Sequence, residues 1–560
     1  MALRNILRSP ARPPLASVPT QTVDAVVVGG GHHGLVTAAV LADAGWDVLL
    51  FEGQDEVGGA VGSRDVDGWI MDTHSACHPL AVASPVLRAL ELGDHGLEWA
   101  SAERVLAHVG QPGDERGAAL FTDPELTAQR LAEDHPEDGQ TWLRLVQDWQ
   151  RLRDPLLEAI LTQWPPVSAS AKVLARVGAG ALPDFVRFLL LPAHRMGEEL
   201  FRGQAGRELI AGNAMHADIP LEAPVSGMFG WLMTMLAQDA GFPSPKGGTR
   251  ELALALKRRA QAAGAQIHTG VAVQRITVQG NTVHGVVTSD GQRIRARRAV
   301  IADTSAPDLY GRLLPAKSVP AGLSARMERF LWDLPTLKLN YRLSAPMPWT
   351  AEAARGAGVV HVGQDVPGLV TWAAELGARK IPQRPFALVG QMSTIDPSRS
   401  PAGSEALWLY THLPREQPSA ENAARLTDAS ETMLDAFAPG WRDLVIDRWD
   451  QTPADLEAGD PNLGQGGVGG GTQQLFQQAL WRPVTGLGGP RTHIEGLYLG
   501  SAAIHPGGGV HGGCGYLAAR AALADQSWWG RPVKQLSLAA LHHLYADDRR
   551  LPPGLGSPGR

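Results

Sequence analysis

The chain is poor in cysteine, in long apolar runs and in blocks of like charge. Its only two cysteines in 560 residues are Cys77 and Cys514. They lie far apart, and one bridge would do little for a chain this long, so a reduced, cytoplasmic-type setting is expected. No stretch approaches the roughly 20 apolar residues of a membrane span. The densest short run, 185–191, is interrupted by Arg187. A spanning helix is thereby excluded, while peripheral contact with a bilayer is not. Acidic residues exceed basic ones by 7, with no long run of either sign, so nothing points to nucleic acid. Residues 1–20 hold three arginines, four prolines and no acid. They lack the apolar core of a secretory signal and read as a disordered leader.

What is present is a globular composition: 44% apolar and 19% charged residues. The length suits two or three interleaved domains. Residues 24–28 and 47–52 read as strands around a helix at 32–44. From about 125 to 245 the texture is helical, and we read a cap there. Short strands return after 246, with turns at Gly280–Asn281 and Asp290–Gly291. Residues 336–343 alternate cleanly and predict a half-buried strand of a second sheet, with 386–392 and 406–412 beside it. Residues 464–471 read as a mobile glycine loop. The expected division is a leader over 1–22, a cofactor domain over 23–124, 246–306 and 481–530, a cap and substrate domain over 125–245 and 307–480, and a tail over 531–560.

Three segments carry chemistry. Gly29-x-Gly31-x-x-Gly34 lies between a strand and a helix. Gly29 permits the tight turn, Gly31 lets backbone approach a pyrophosphate, and Gly34 lets the helix pack closely. The helix N-terminus then faces the phosphates. Glu52 closes the second strand, placed for a ribose hydroxyl pair. Gly58-Gly59-Ala60 follows, a glycine pair that favours FAD over NAD. Arg64 beyond it is equally a phosphate ligand or a surface arginine. Near the end, a strand at 497–499 feeds Gly507-Gly508-Gly509 before a helix, a second set of N–H groups for the far end of the same dinucleotide. His74-x-x-Cys77-His78 has too few partners for a zinc site, and no metal is expected. His505 and His74 are the candidate proton carriers.

The pairing of the 23–60 segment with "GLYLGSAAIHPGGGVHGGCGYLAARAAL" resembles the phytoene desaturase-like flavoproteins. That group includes bacterial phytoene desaturases, carotene ketolases and a mitochondrial pyridine nucleotide-disulfide oxidoreductase-domain protein. "PKGGTRELALAL", "STIDPSRSPAG" and "TPADLE" extend the resemblance over about 23–523. It implies an α/β fold: a Rossmann-type FAD-binding domain, glutathione reductase-like and of the amine oxidase superfamily, with an inserted α+β substrate domain and helical cap. It implies FAD held by Gly29, Gly31, His33, Gly34, Glu52, Gly58, Gly59 and Ala60, an adenine contact from Val273, and flavin-end contacts from Ser501, Gly508, Gly509 and Val510. Relatives carry glycine where this chain has Ser501 and Ala503. The implied activity is desaturation of a hydrophobic, carotenoid- or lipid-like molecule, with oxygen or a quinone as electron acceptor. An amine or small-alcohol oxidase, or a flavin-binding partner protein without turnover, stands as the alternative.

Overall fold

A computed structural model describes residues 21–545. The leader expected over 1–22 lies almost wholly outside the described residues, as does the end of the expected tail. Within the described part, that tail contains the helix Gly530–Tyr545.

The first strand, Gln21–Val28, is buried from Val23 onward, as a central parallel strand covered on both faces must be. It pairs in parallel with Val48–Phe51 on one side and Arg293–Ala302 on the other. Gln266–His268 extends the sheet beyond Val48–Phe51. Leu497–Leu499 joins in parallel beside the end of Arg293–Ala302. The start of that long strand carries the antiparallel hairpin Val273–Gln279 and Thr282–Thr288. Helices His32–Asp43, Arg250–Ala262 and Gly513–Gln526 cover one face through Leu35, Leu252 and Ala518. One α/β domain is thus assembled from three distant parts of the chain, as the fold class anticipated.

A second sheet runs in the order Val445–Gln451, Thr336–Leu343, Glu405–His412, Ala387–Gln391, Ala357–Val362, Arg104–Val109, Ala118–Phe121. Its last two strands correct the expected boundary. They fall within the 23–124 block assigned to the cofactor domain, yet Arg104–Val109 pairs with Ala357–Val362. Pairing between such distant segments leaves no local signal.

Thr336–Leu343 also differs from expectation, being buried on both faces. Its nominally polar side is covered by the cofactor domain. There the Lys338 ammonium donates to the carbonyls of Asp72 at 2.5 Å and His74 at 3.2 Å. The helices between 124 and 240 form a separate layer around Trp142, Trp149, Phe201 and Trp231. Among the described residues no helix is long and apolar enough to cross a membrane.

The glycine-rich segment 464–471 is pinned, not loose. Asp333 accepts the N–H groups of Gly469 and Gly471. Arg482, fully buried, donates to five carbonyls: Gly469, Gly470, Gly471, Thr472 and Ala502. Burial pulls its guanidinium down to about 10, leaving it charged at neutral pH. A polar group stranded in the interior costs about 1–3 kcal/mol. Arg482→Met is therefore expected to lower the melting temperature and to speed proteolysis within 464–472 several-fold, read by limited digestion and mass spectrometry.

Candidate functional site

The first strand ends in a cradle of bare backbone. A Cβ on Gly34 would lie 2.2 Å from the Gly29 carbonyl oxygen, so only glycine lets the helix sit this close to the strand end. Gly29 itself has φ +101. A Cβ on Gly31 would lie 2.8 Å from Asp303 Oδ2. Gly31 pairs with Gly58, whose N–H donates to Gly30 O at 2.9 Å. A Cβ on Gly59 would lie 3.6 Å from Gly31 Cα and 3.0 Å from Asp460 Oδ2. Glu52 accepts the Gly30 N–H at 2.6 Å and the Gln54 N–H at 2.8 Å. Gly29, Gly31, Gly34, Glu52, Gly58, Gly59 and Ala60 are thus gathered at the N-terminus of His32–Asp43. Free N–H groups and the helix dipole favour an anion there.

The third chain segment locks onto the first. A Cβ on Gly515 would lie 2.0 Å from the His33 carbonyl oxygen. The Thr37 hydroxyl is shared between the carbonyls of His33 and Gly515, at 3.0 Å each. The turn at 507–509 then lies beside a group of imidazoles. Burial is the main cause that pulls His32 and His505 down to about 4 and His511 to about 3, and His33 falls well below its ordinary value. All are neutral at physiological pH. Both ring nitrogens of His33, and Nε2 of His32 and of His505, are buried without a hydrogen-bond partner. Such orphaned polar atoms beside a glycine turn suit a ligand that carries its own donors and acceptors. His33, His511 and Cys514 bring donor atoms within 4.8 Å of one another. The Cys514 thiol, pushed up to about 12 by burial, is protonated and donates to the carbonyls of Ile504 and Gly507.

Other expected residues are placed as follows. Ser501 donates to Thr304 O at 2.6 Å and accepts the Ala503 N–H at 3.2 Å. Its hydroxyl closes the turn, and Ala503 packs in the core. Gly508 backs onto Gly469, and Val510 is half-buried against the helices. Arg64 is exposed on the hairpin Ser63–Val66 and Trp69–Asp72. The side chain of Val273 is buried in the core, and the residue against Gly53 is Ala272. His74 bonds Thr73 Oγ1 at 3.1 Å through Nδ1 and is lowered to about 4, by burial first and then by Lys338.

Four charged residues at the site escaped the sequence reading. Asp303 Oδ2 accepts the Gly34 N–H at 2.7 Å, and Asp460 faces Gly59. Their signal was position: Asp303 follows a buried strand at its carboxyl end, where ligands of α/β sheets bind. Lys338 is lowered to about 8 by burial. Arg399, fully buried, reaches Asp72 at 2.9 Å and Ser244 at 2.7 Å. Nothing local marks either cation.

Residues 34–523 match the family described as flavin containing amine oxidoreductase. The chain is 26% identical over 554 residues to pyridine nucleotide-disulfide oxidoreductase domain-containing protein 2 of Rattus norvegicus, covering 90% of this chain and 93% of that one. It is 26% identical over 524 residues to the zeta-carotene-forming phytoene desaturase of Myxococcus xanthus, covering 88% and 92%. Its fold resembles an oxidoreductase from Methanosarcina mazei, at 17% identity and TM-score 0.57, covering 89% and 99%. FAD is the cofactor.

Overpacking a tight contact costs about 1–3 kcal/mol. Gly34→Ala, forced against the Gly29 carbonyl, is expected to purify without flavin. Gly93→Ala, where a Cβ meets open space, should keep its flavin. Visible absorbance of the purified proteins decides.

Proposed function

Because the chain belongs to the flavin-containing amine oxidoreductase family, we propose that this FAD-dependent oxidoreductase desaturates a hydrophobic, carotenoid- or lipid-like molecule at a membrane surface. The observation that carries the reading is an apolar rim beside the 507–509 turn. Trp164, Leu190, Leu475, Phe476, Leu480 and Trp481 are each 41–60% exposed. Leu475, Phe476 and Trp481 line one surface pocket, and short backbone links bring the others near it. Leu190 O accepts the Val225 N–H, and the neighbouring Ala223 and Pro224 share a surface pocket of about 490 Å³ with Leu475, Phe476 and Trp481. A Cβ on Gly488 would lie 2.6 Å from Leu480 Cα, and one on Gly489 would lie 3.1 Å from the side chain of Gln163, next to Trp164. The Trp164 ring is 6.3 Å from that of His505. Proteins that work in water rarely expose so much clustered apolar surface without a use for it. A bilayer surface, where such substrates dissolve, is the use that fits. The relatives named for phytoene desaturation fit the same substrate class.

FAD supplies the hydride-accepting centre when bound, with oxygen or a quinone as the onward electron acceptor. The chain supplies binding and environment. Apolar side chains admit the substrate and exclude water. The imidazoles of His74 and His505 are uncharged at neutral pH, so neither sets a cation beside an apolar ligand before reaction, and whichever takes the proton becomes an imidazolium. A desaturation removes one hydride and one neighbouring proton, and the carbon–carbon double bond takes the electron pair left behind.

Anaerobic mixing of the holoenzyme with a polyene should bleach the flavin. Bleaching by amines alone would transfer the reading to an amine oxidase, and an oxidised flavin with every donor would leave a binding protein. Phe476→Ser and Trp481→Ser should each weaken co-sedimentation with lipid vesicles about tenfold, the loss of about 1.4 kcal/mol of apolar burial.

A further inference from the structure

The side chains that crowd the glycine cradle are acids, yet the group this cradle receives is an anion. We propose that Asp303 and Asp460 hold the FAD pyrophosphate as neutral carboxylic acids, so that loading of the cofactor takes up a proton from solvent.

Neither carboxyl can swing away. Asp303 and Asp460 are 5% and 9% exposed. Asp303 Oδ2 sits on the Gly34 N–H and fills the space beside Gly31 that a side chain would otherwise take. Asp460 Oδ1 accepts the Asn462 N–H at 3.0 Å, while its Oδ2 points to Gly59. Asn462 ties the pair together, donating to Asp303 O at 3.1 Å and accepting the Ser305 N–H at 2.6 Å.

Among the described residues no cation offsets them. Asp460 and Glu52 act on Asp303, and Glu52 acts on Asp460, against which only the backbone N–H groups of Asn462 and Ala60 are set. The other titratable groups that face this corner are His33, one residue before Gly34, His74, whose Nε2 lies against Gly459, and the Cys514 thiol, which burial keeps protonated. Burial leaves both imidazoles uncharged. Burial also holds Asp303 well above the usual carboxylate range and pushes Asp460 up to about 6. An arriving diphosphate adds like charge and favours the acid forms further. A neutral carboxyl on Asp303 keeps its carbonyl oxygen for the Gly34 N–H and presents an O–H to a phosphate oxygen, as an asparagine would present its N–H.

The sign follows. The bound state carries the proton, so affinity is full below the free-state value of Asp460 and falls as pH rises above it. Full-length apoprotein titrated with FAD, followed by flavin fluorescence, should lose about tenfold in affinity per pH unit above about 6. Calorimetry in buffers of different ionisation heat should register about one proton taken up at pH 8. Asp460→Asn should flatten the pH dependence and bind at pH 8 as tightly as the wild type does at pH 6. Asp303→Asn should keep FAD, and Asp303→Leu should lose it with the far-UV spectrum unchanged. A pH-independent wild-type affinity, an equal slope in Asp460→Asn, or affinity abolished by a chelator would each overturn the proposal, the last by putting a bridging cation in place of the proton.

Discussion

At the centre of this molecule backbone meets backbone where no Cβ can stand. The helix His32–Asp43 reaches its strand because Gly34 has no side chain, and the helix Gly513–Gln526 reaches His33 because Gly515 has none. Gly58 and Gly59 fold under Gly31 by the same means. These close approaches bring three distant parts of the chain around one volume. Two of the N–H groups there, those of Gly30 and Gly34, are taken by Glu52 and Asp303. Loss of any one approach would move a wall of the site, not merely one contact.

Around that volume the protein holds its titratable groups uncharged or satisfied. His32, His33, His74, His505 and His511 are neutral through burial. The buried cations Lys338, Arg399 and Arg482 spend their hydrogen bonds on carbonyls, a hydroxyl and carboxylates of the chain itself. Lys338 and Arg399 each tie a loop to a strand, and Arg482 ties the 469–472 loop to Ala502. The result is a polar but weakly charged floor under an apolar rim, which suits a cofactor that brings its own charge and a substrate that brings none.

Some of this was legible in the sequence. The Gly29–Gly34 loop, Glu52 and the 507–509 turn were legible as strand, glycine loop and helix patterns, and the structure gathers the loop and Glu52 at one helix N-terminus. The strand Thr336–Leu343 was legible as a strand from its alternation. Its second buried face was not, since alternation cannot tell a face covered by another domain from one facing water. The 464–471 segment read as loose because glycine signals freedom. Its order comes from Asp333 and Arg482, which lie outside it.

By itself, then, the sequence determined the cofactor, the fold class and the absence of a membrane-spanning helix among the described residues. These rest on short-range backbone requirements that neighbouring residues express. Only the tertiary structure decided that Arg104–Val109 belongs to the second sheet, that Ser501 closes a turn, that Leu475, Phe476 and Trp481 line one surface pocket, and that Asp303 and Asp460 crowd the glycine cradle. Each of these depends on which distant segments come into contact, and burial changes a residue's chemistry only after those contacts exist.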